Sequence, residues 1–377
     1  MRHDRAAGVG RMMTLGQELD PKRNALNAWR LLLATGVIVW HSFLTTGHHI
    51  PFVPARQLLS EVFVDGFFAI SGFLITSSWL RDPRLRDYFV ARALRVLPGV
   101  WVCLVVVAFV VAPIGVALLG GSGKDLVSSG ASLQYVLVNM PAVGGLQFDI
   151  AGTPRGVPYP GFWDSSLWTL IWEVFCYIAV ALLGVAGLLR RRWPVPVVFA
   201  LALGCSAIAT LPTDATPQQM IAYAAARFAL MFSAGALVHQ FRDLIPARWS
   251  LVAVSAVVVL ASSFLPHYRL LAAVPLAYLI VASGALLHHQ RLRLRTDLSY
   301  GVYIYAFPIQ QLLVIAGLAT LNPLVFAIIA AVAVVPVAAL SWFLIEKPAL
   351  SLKSRFKRRT LAAQTEPNVP APAPAAD

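Results

Sequence analysis

Apolar runs long enough to cross a lipid bilayer recur along this sequence and restrict its fold more than any other feature. A transmembrane helix needs about 20 mainly apolar residues, and runs of that length include residues 96–118 and 322–344. Because the hydrocarbon core offers no water to the backbone, such runs must satisfy their own N–H and C=O groups. We therefore predict an all-α fold, a polytopic membrane helical bundle with about ten transmembrane helices. The predicted spans are residues 27–46, 58–80, 96–118, 166–189, 195–211, 220–240, 250–265, 269–288, 299–318 and 322–344.

The distribution of charge agrees with a membrane protein and gives it an orientation. Hydrophobic residues make up 58% of the chain and charged residues only 12%, against roughly 25% in soluble proteins. Of the 30 basic residues, 24 fall in segments predicted on one side of the membrane and four on the other. This asymmetry predicts that both termini are cytoplasmic. It also accounts for the net charge of +13, so we expect a multi-pass protein of the cell membrane that contacts the lipid bilayer and no nucleic acid.

The chain divides into one membrane domain and two flanking segments. We predict a cytoplasmic N-terminal segment over residues 1–26, the membrane domain over 27–349, and a basic and then Pro/Ala-rich tail over 350–377, cytoplasmic and disordered. Only residues 119–165 form a long connection, on the non-cytoplasmic side, and connections of this length are usually functional or disordered. The aromatic residues in this connection favour an ordered cap that faces substrate. The candidate substrate-binding residues are Trp163, Tyr159 and, in the next span, Trp168.

Three ionisable side chains fall at a similar depth within the predicted spans. His41 lies five residues before the end of the first span, and Glu173 about seven residues after the start of the fourth. Both are roughly 8–11 Å beneath the outer surface, and Asp65 on the second span is at a similar level. A lone buried histidine is more often structural, but an imidazole beside carboxylates suits a general base and its orienting group. We predict that His41, Glu173 and Asp65 are catalytic.

Arginines lie on the cytoplasmic side of the same region. Arg30 precedes His41 by eleven residues, close to three helical turns, so the two share one face about 16 Å apart. A guanidinium can hold a phosphate through forked hydrogen bonds. Arg92 and Arg95 lie at the same mouth, where they serve either a phosphate or membrane orientation alone. The spacing suits a pantetheine arm, which suggests acyl-CoA with its nucleotide at these arginines and its thioester at His41.

Six motifs, taken in order, resemble those of the acyltransferase-3 family of integral membrane acyltransferases. Each motif is weak alone, but their order over residues 24–349 is specific. The matching segments are the R-x10-H spacing of Arg30 and His41, FVDGFFAISGFLI (63–75), ARALRVLP (91–98), SLWTLIWEVFCY (166–177), DLSYGVYIYAFPI (297–309) and SWFLIEKP (341–348).

The resemblance implies transfer of an acyl group, acetyl by default, from cytoplasmic acyl-CoA to a hydroxyl of an envelope glycan, a glycolipid or a related acceptor. By position, His41 is then the catalytic histidine and Glu173 its acidic partner, while Arg30, Arg92 and Arg95 serve the donor. Two positions depart from the family pattern. Asn27 stands where the family usually has aspartate, and Ala306 stands where it has a histidine in the ninth span.

Two other functions stay open at this stage. A proton-coupled transporter or exporter would also carry His, Asp, Glu and Arg within its spans, but would be expected to show internal repeats, and we find none. A catalytically impaired protein that binds acyl-CoA is the second alternative, because Ala306 replaces the family histidine. The three cysteines, Cys103, Cys176 and Cys205, have no metal-ligand spacing, and we predict no metal site.

Overall fold

The computed structural model describes residues 13–21, 23–141, 147–209, 214–294 and 296–352. Within these ranges the chain contains helices and connections, two isolated β-bridges and no β-strand, which confirms the predicted all-α fold. The predictions for residues 1–12 and for most of the tail, residues 353–377, lie outside the described residues.

In chain order the α-helices are α1 (Leu15–Glu18), α2 (Leu26–Thr45), α3 (Val53–Arg81), α4 (Leu85–Val106), α5 (Ala112–Leu118), α6 (Gly123–Ser128), α7 (Ala131–Asn139), α8 (Leu170–Val185), α9 (Pro194–Ile208), α10 (Pro217–Gln240), α11 (Trp249–Ser262), α12 (Arg269–Leu286), α13 (Ser299–Ile315) and α14 (Pro323–Ser341).

Seven helical segments in the described ranges are long and apolar enough to cross a membrane. One of them, Leu85–Leu118, joins α4 and α5 through a π-helical turn at Val107–Val111. Three further apolar helices, α9, α11 and α13, are shorter, with 15, 14 and 17 residues. The structure thus confirms a membrane helical bundle, whereas the count of about ten transmembrane helices is not confirmed.

Proline and polar caps fix the start of several helices. Pro194, Pro217 and Pro323 each stand in the first turn of a helix, where a missing N–H costs no hydrogen bond. At the start of α10, the Thr216 hydroxyl accepts a hydrogen bond from the Gln219 N–H at 3.3 Å, and the Gln219 side chain accepts one from the Thr216 N–H at 2.8 Å. This reciprocal cap sets where α10 begins.

Helices α3 and α10 cross at glycines. A Cβ atom on Gly72 would lie 1.9 Å from the carbonyl oxygen of Phe232, and one on Gly235 would lie 1.9 Å from that of Ala69. Small residues at a crossing let two helix backbones approach closely. Helix α2 packs against both α3 and α13, and α3 also packs against α8. These helices carry the residues of the candidate site.

The two ends of the bundle differ in composition. Arg23, Arg242 and Arg293 lie where α2 begins, and the Gly16 N–H donates to the Arg242 carbonyl oxygen at 2.9 Å. We call this the basic end. The opposite end, where α2 finishes, carries residues 119–141 and 147–165 and is called the loop end.

Residues 147–165 are tied to the loop end by hydrogen bonds. The Gln311 side-chain amide donates to the carbonyl oxygens of Tyr159 at 2.7 Å and Phe162 at 2.8 Å. The Trp163 N–H donates to the carbonyl oxygen of Phe148 at 2.9 Å. These bonds fix the aromatic part of the connection across the end of α13, directly over the region of His41.

Candidate active site

His41 lines a cavity of about 190 Å³ near the loop end, which we call the His41 cavity. Its imidazole is largely buried and is nearly perpendicular to the ring of Phe307, with 5.0 Å between the ring centroids. The Nδ1 atom is buried and has no hydrogen-bond partner among the described residues. The lining residues are Val37, Trp40, His41, Leu44, Leu59, Ser60, Phe63, Val64, Tyr159, Ser165, Ser166, Trp168, Arg227 and Tyr303.

The loop end supplies one wall of this cavity. Tyr159 lies with its ring centroid 5.8 Å from that of Phe307 and 5.0 Å from that of Phe162. Burial raises the pKa of the Tyr159 phenol, which therefore stays protonated at neutral pH. The bonds from Gln311 hold this segment in place. The cavity thus has a protonated phenol and a stacked aromatic wall beside the imidazole.

Hydroxyl groups and one cation complete the lining. Ser60, Ser165, Ser166 and Tyr303 contribute hydroxyls, and the buried Oγ of Ser166 has no hydrogen-bond partner among the described residues. Arg227 is the cationic member of the lining. Aromatic faces next to hydroxyls and a cation form a site that can stack against a sugar ring and hydrogen-bond to its hydroxyls.

Glu173 lies in a second, smaller cavity of about 60 Å³, which we call the Glu173 cavity. The Tyr177 hydroxyl donates a hydrogen bond to the Glu173 carboxylate. Val64 and Tyr303 line both cavities, so the two adjoin. No hydrogen bond between His41 and Glu173 is present in the described part of the chain. The orienting contact expected of Glu173 is therefore not found in this structure.

Asp65 is engaged in a buried ion-pair cluster. Its carboxylate accepts hydrogen bonds from Arg227 and Arg269, each at 2.7 Å, and from the Tyr268 hydroxyl. Arg269 also pairs with Glu61. Asp65 is fully buried and does not line the His41 cavity, so the contact expected between Asp65 and His41 is likewise absent. The cluster instead links α3, α10 and α12 and holds Arg227 at the cavity wall.

Two of the three arginines predicted to bind the donor, Arg30 and Arg95, are held by acidic partners. Arg30 and Arg95 both bond to Asp297 at 2.6 Å, and Arg95 lies 3.6 Å from Glu346. Burial raises the pKa of Asp297, but the guanidinium groups of Arg30 and Arg95 and hydrogen bonds from Ser299 together hold that pKa below its usual range. A π-helical turn at Trp342–Glu346 brings Glu346 to this cluster. Arg30 and Arg95 both line the Glu173 cavity.

Arg92 does not line either cavity. Its guanidinium donates to the Ser78 hydroxyl at 2.8 Å and lies over the rings of Tyr88 and Tyr177, at 5.4 Å and 5.9 Å from their centroids. Its buried Nε has no hydrogen-bond partner among the described residues. Arg92 thus packs behind Tyr177, the residue that bonds Glu173.

The three predicted substrate-binding aromatics are divided by the structure. Tyr159 and Trp168 line the His41 cavity. Trp163 is fully buried, packs over Gly115 and donates from its indole to the Thr153 hydroxyl at 3.0 Å. It therefore holds residues 147–165 together and does not reach the cavity.

Asp164 and Asp297 are two polar residues that sequence reasoning missed. Asp164 is 1% exposed, and burial raises its pKa to about 7, although the Ser166 N–H donates to it at 2.8 Å. It directly precedes Ser165 and Ser166 of the cavity wall. Both aspartates lie just outside predicted spans, each followed within two residues by a serine, and that short polar pattern was the available signal.

Comparison with known proteins shows the family to which the chain belongs. A family model described as an acyltransferase domain matches residues 23–343. The chain belongs to the acyltransferase-3 family. An O-acetyl transferase of Shigella phage Sf6 is 26% identical over 345 residues, which cover 88% of this chain and 98% of the phage protein. Nodulation protein 10 of Rhizobium leguminosarum bv. viciae is 28% identical over 322 residues, covering 78% and 84% of the two chains. No solved structure matches the chain.

Family membership makes this protein an acyltransferase with membrane-spanning helices and gives no support to the transporter alternative. Ala306, at the position where the motif resemblance predicts a histidine, is fully buried in an apolar cluster with Ala34, Ile38 and Phe326. Its neighbour Phe307 contacts His41 instead. In this member of the family, the face of α13 that carries Ala306 is therefore used for packing.

Proposed function

We propose that this protein is an acyl-CoA-dependent O-acyltransferase that moves an acyl group, acetyl by default, to a hydroxyl of an envelope glycan, a glycolipid or a related acceptor. The observation that carries the proposal is His41, an imidazole with an unpartnered Nδ1 in a cavity of aromatic rings and hydroxyls. The donor enters from the basic end, which is cytoplasmic in the proposed orientation, and both termini are on that side. The enzyme is a multi-pass protein of the cell membrane.

The adjoining cavities support a path for the donor. Arg30 and Arg95 line the Glu173 cavity toward the basic end, and Val64 and Tyr303 separate it from the His41 cavity. Arg30 and His41 lie about 16 Å apart along α2. A pantetheine arm passing through the Glu173 cavity would bring its thioester to His41, where an acceptor hydroxyl arrives from the loop end.

His41 acts as the general base in this proposal. It takes the proton of the acceptor hydroxyl, and the oxygen attacks the thioester carbonyl carbon. The carbon–sulfur bond then breaks, and the CoA thiolate leaves and recovers the proton from the imidazolium. Arg227, held by Asp65, would stabilise the negative charge that develops on the carbonyl oxygen. In this mechanism Asp65 acts indirectly, because it holds Arg227 in place. Glu173 acts as part of the lining of the Glu173 cavity, through which the donor would pass.

Acylation of His41 itself is the alternative route, since histidine can also act as a nucleophile. The direct route leaves no acyl group on the enzyme when acceptor is absent. Incubation of purified protein with labelled acetyl-CoA and no acceptor separates the two routes, because only the acyl-enzyme route releases one equivalent of CoA in a burst.

The acceptor site favours a sugar. Tyr159 and Trp168 offer aromatic faces, and Ser165 and Ser166 offer hydroxyls, one of which is buried without a partner. The name of the Shigella phage relative, an O-acetyl transferase, supports transfer of acetyl to oxygen.

The test uses membranes that contain wild type, His41→Ala or the control His49→Ala, supplied with acetyl-CoA labelled in the acetyl group. His49 is exposed and lies outside the cavity. We expect alkali-labile label in the glycan or lipid fraction with wild type and His49→Ala, and its loss by a factor of about 100 or more with His41→Ala. Equal labelling by His41→Ala contradicts the proposal. No labelling by wild type, with acetyl-CoA still bound, supports the acyl-CoA-binding alternative.

A further inference from the structure

A third cavity opens at the basic end and has no role in the site described so far. Its volume is about 810 Å³, against about 60 Å³ for the Glu173 cavity. Its lining contains two guanidinium groups, three side-chain amides and no carboxylate. The lining residues are Pro21, Arg23, Asn24, Asn27, Gln290, Arg293 and Leu294. We call it the basic-end cavity.

Among the described residues, no carboxylate forms an ion pair with the arginines of the basic-end cavity. Neither Arg23 nor Arg293 forms an ion pair with a carboxylate in the described ranges. The buried Nε of Arg293 has no hydrogen-bond partner there either. Asp20 is close, because Asn24 donates to its carbonyl oxygen at 2.8 Å, but it does not line the cavity. An anion entering this cavity therefore meets positive charge and unused donors.

The Glu173 cavity offers the opposite conditions. Its arginines, Arg30 and Arg95, share Asp297, and Glu346 lies 3.6 Å from Arg95. Glu173 adds another carboxyl group to the lining. A phosphate placed there would have to compete with three acidic side chains in a small space.

The basic-end cavity leads toward the Glu173 cavity. Asn27 donates to the carbonyl oxygen of Leu294 at 3.0 Å, and both residues line the basic-end cavity. One turn further along α2 is Arg30, and three residues after Leu294 is its partner Asp297. The Arg30–Asp297 pair thus stands between the two cavities, on the same helix that carries His41.

We propose that the basic-end cavity binds the phosphorylated nucleotide end of acyl-CoA, with Arg23 and Arg293 on its phosphates and the amides of Asn24, Asn27 and Gln290 on its base and ribose. This inference rests on the proposed acyl-CoA donor. It replaces the prediction from the sequence that Arg30, Arg92 and Arg95 bind the phosphates of the donor. Arg30 and Arg95, fixed by Asp297, then border the passage through which the pantetheine arm reaches His41.

The test compares the double variant Arg23→Gln/Arg293→Gln with the control double variant Arg86→Gln/Arg248→Gln, which removes the same charge from exposed residues outside the cavity. Transfer is measured with acetyl-CoA and with S-acetylpantetheine, a donor that has no phosphate. Loss of two partly exposed anion contacts is worth roughly a tenfold change in affinity. We expect KM for acetyl-CoA to rise by that factor in the cavity variant alone, and KM for S-acetylpantetheine to be the same in all three proteins.

Direct binding of 3′-phosphoadenosine 5′-diphosphate to the purified proteins keeps this inference separate from the proposed function. If wild type binds the nucleotide more tightly than the cavity variant but transfers no acetyl group, the nucleotide site stands and the proposed function fails. If transfer occurs and the cavity variant has the wild-type KM for acetyl-CoA, the nucleotide site is wrong. Equal nucleotide binding by wild type and the cavity variant, or none by wild type, also overturns it.

Discussion

At the scale of single residues, the arrangement around His41 depends on aromatic packing more than on a carboxylate. The ring centroid of Phe307 lies 5.0 Å from that of the His41 imidazole, and the ring centroid of Tyr159 lies 5.8 Å from that of Phe307. The carboxylates of Asp65 and Glu173 are occupied by arginines and by Tyr177. In the proposed mechanism we therefore assign the orientation of the His41 imidazole to Phe307, which would position His41 without contacting the reacting atoms.

Phe307→Leu tests this assignment. Leucine keeps much of the apolar volume but loses the ring edge, and aromatic pairs of this kind contribute about 0.5–1.5 kcal/mol. We expect kcat for acetyl transfer to fall by a factor of roughly 2–10 with little change in KM for acetyl-CoA. Phe307→Tyr, which keeps the ring, is the matched control. If Phe307→Leu has wild-type kcat, the packing of Phe307 does not position His41.

Asp164 predicts a pH dependence of stability. Its pKa is about 7 in the folded protein because of burial, against about 3.9 in an unfolded chain. Between these values the folded protein keeps a proton that the unfolded chain has released, so this group lowers stability as pH rises from about 4 to about 7. We expect Asp164→Asn, which keeps the oxygen that accepts from Ser166, to raise Tm by a few degrees at pH 8 and by nothing near pH 4. A thermal-shift series in detergent measures this. An equal shift at both pH values contradicts the assignment.

Sequence reasoning could identify His41, Tyr159 and Trp168 because depth and residue type were enough to bring them near one cavity. It could not pair Asp65 with Arg227, because that contact depends on the rotation of α3 and α10 about their axes. For the same reason, the sequence could not show which carboxylate pairs with Arg30 and Arg95. Their partner Asp297 lies more than 200 residues away in the sequence, and only the packing of α2, α4 and α13 brings it to them.

At the scale of helices, the crossing of α3 and α10 positions both Asp65 and Arg227. The close approach depends on Gly72 and Gly235, since a Cβ at either would lie 1.9 Å from a backbone carbonyl oxygen of the other helix. Backbone atoms cannot rotate away as the end of a side chain can. The crossing therefore has little tolerance for added volume.

Gly72→Ala should destabilise the protein by about 1–3 kcal/mol or more, as overpacking of a closely packed crossing does. Gly204→Ala on α9 is the matched control, because its added Cβ would meet nothing within 4 Å. In a helix that change is expected to be neutral or to stabilise by up to about 1 kcal/mol. Urea or thermal unfolding of the two variants measures the difference. Equal stability of both would mean that α3 and α10 do not approach as closely as described.

The sequence predicted the existence and type of the helices because long apolar runs leave few alternatives in a bilayer. The sequence could not determine how many of these helices cross the membrane. Helices α9, α11 and α13 have 15, 14 and 17 residues, fewer than the roughly 20 that a hydrocarbon core requires of an untilted helix. The start of α9, for example, is set by the local feature of Pro194 in its first turn.

At the scale of the whole molecule, three cavities lie in the order expected for transfer across a membrane. The basic-end cavity carries Arg23 and Arg293, which form no ion pair with a carboxylate of the described residues. The Glu173 cavity lies beside the Arg30–Asp297 pair, and the His41 cavity lies under residues 147–165. Positive charge at one end and an aromatic, hydroxyl-rich cavity at the other suit a donor and an acceptor that arrive from opposite sides. The apolar pattern of the sequence predicted the bundle, but the cavities arise only from how its helices pack.

The measurement that tests this account most directly follows labelled acetyl groups in sealed membrane vesicles of defined orientation. With the basic end outside, external acetyl-CoA should label acceptor enclosed in the vesicle, and His41→Ala should abolish the labelling. With the basic end enclosed, external acetyl-CoA should give no label until the vesicles are opened with detergent. Labelling of equal extent in both orientations, or labelling that survives His41→Ala, would contradict transfer from a donor at the basic end through His41.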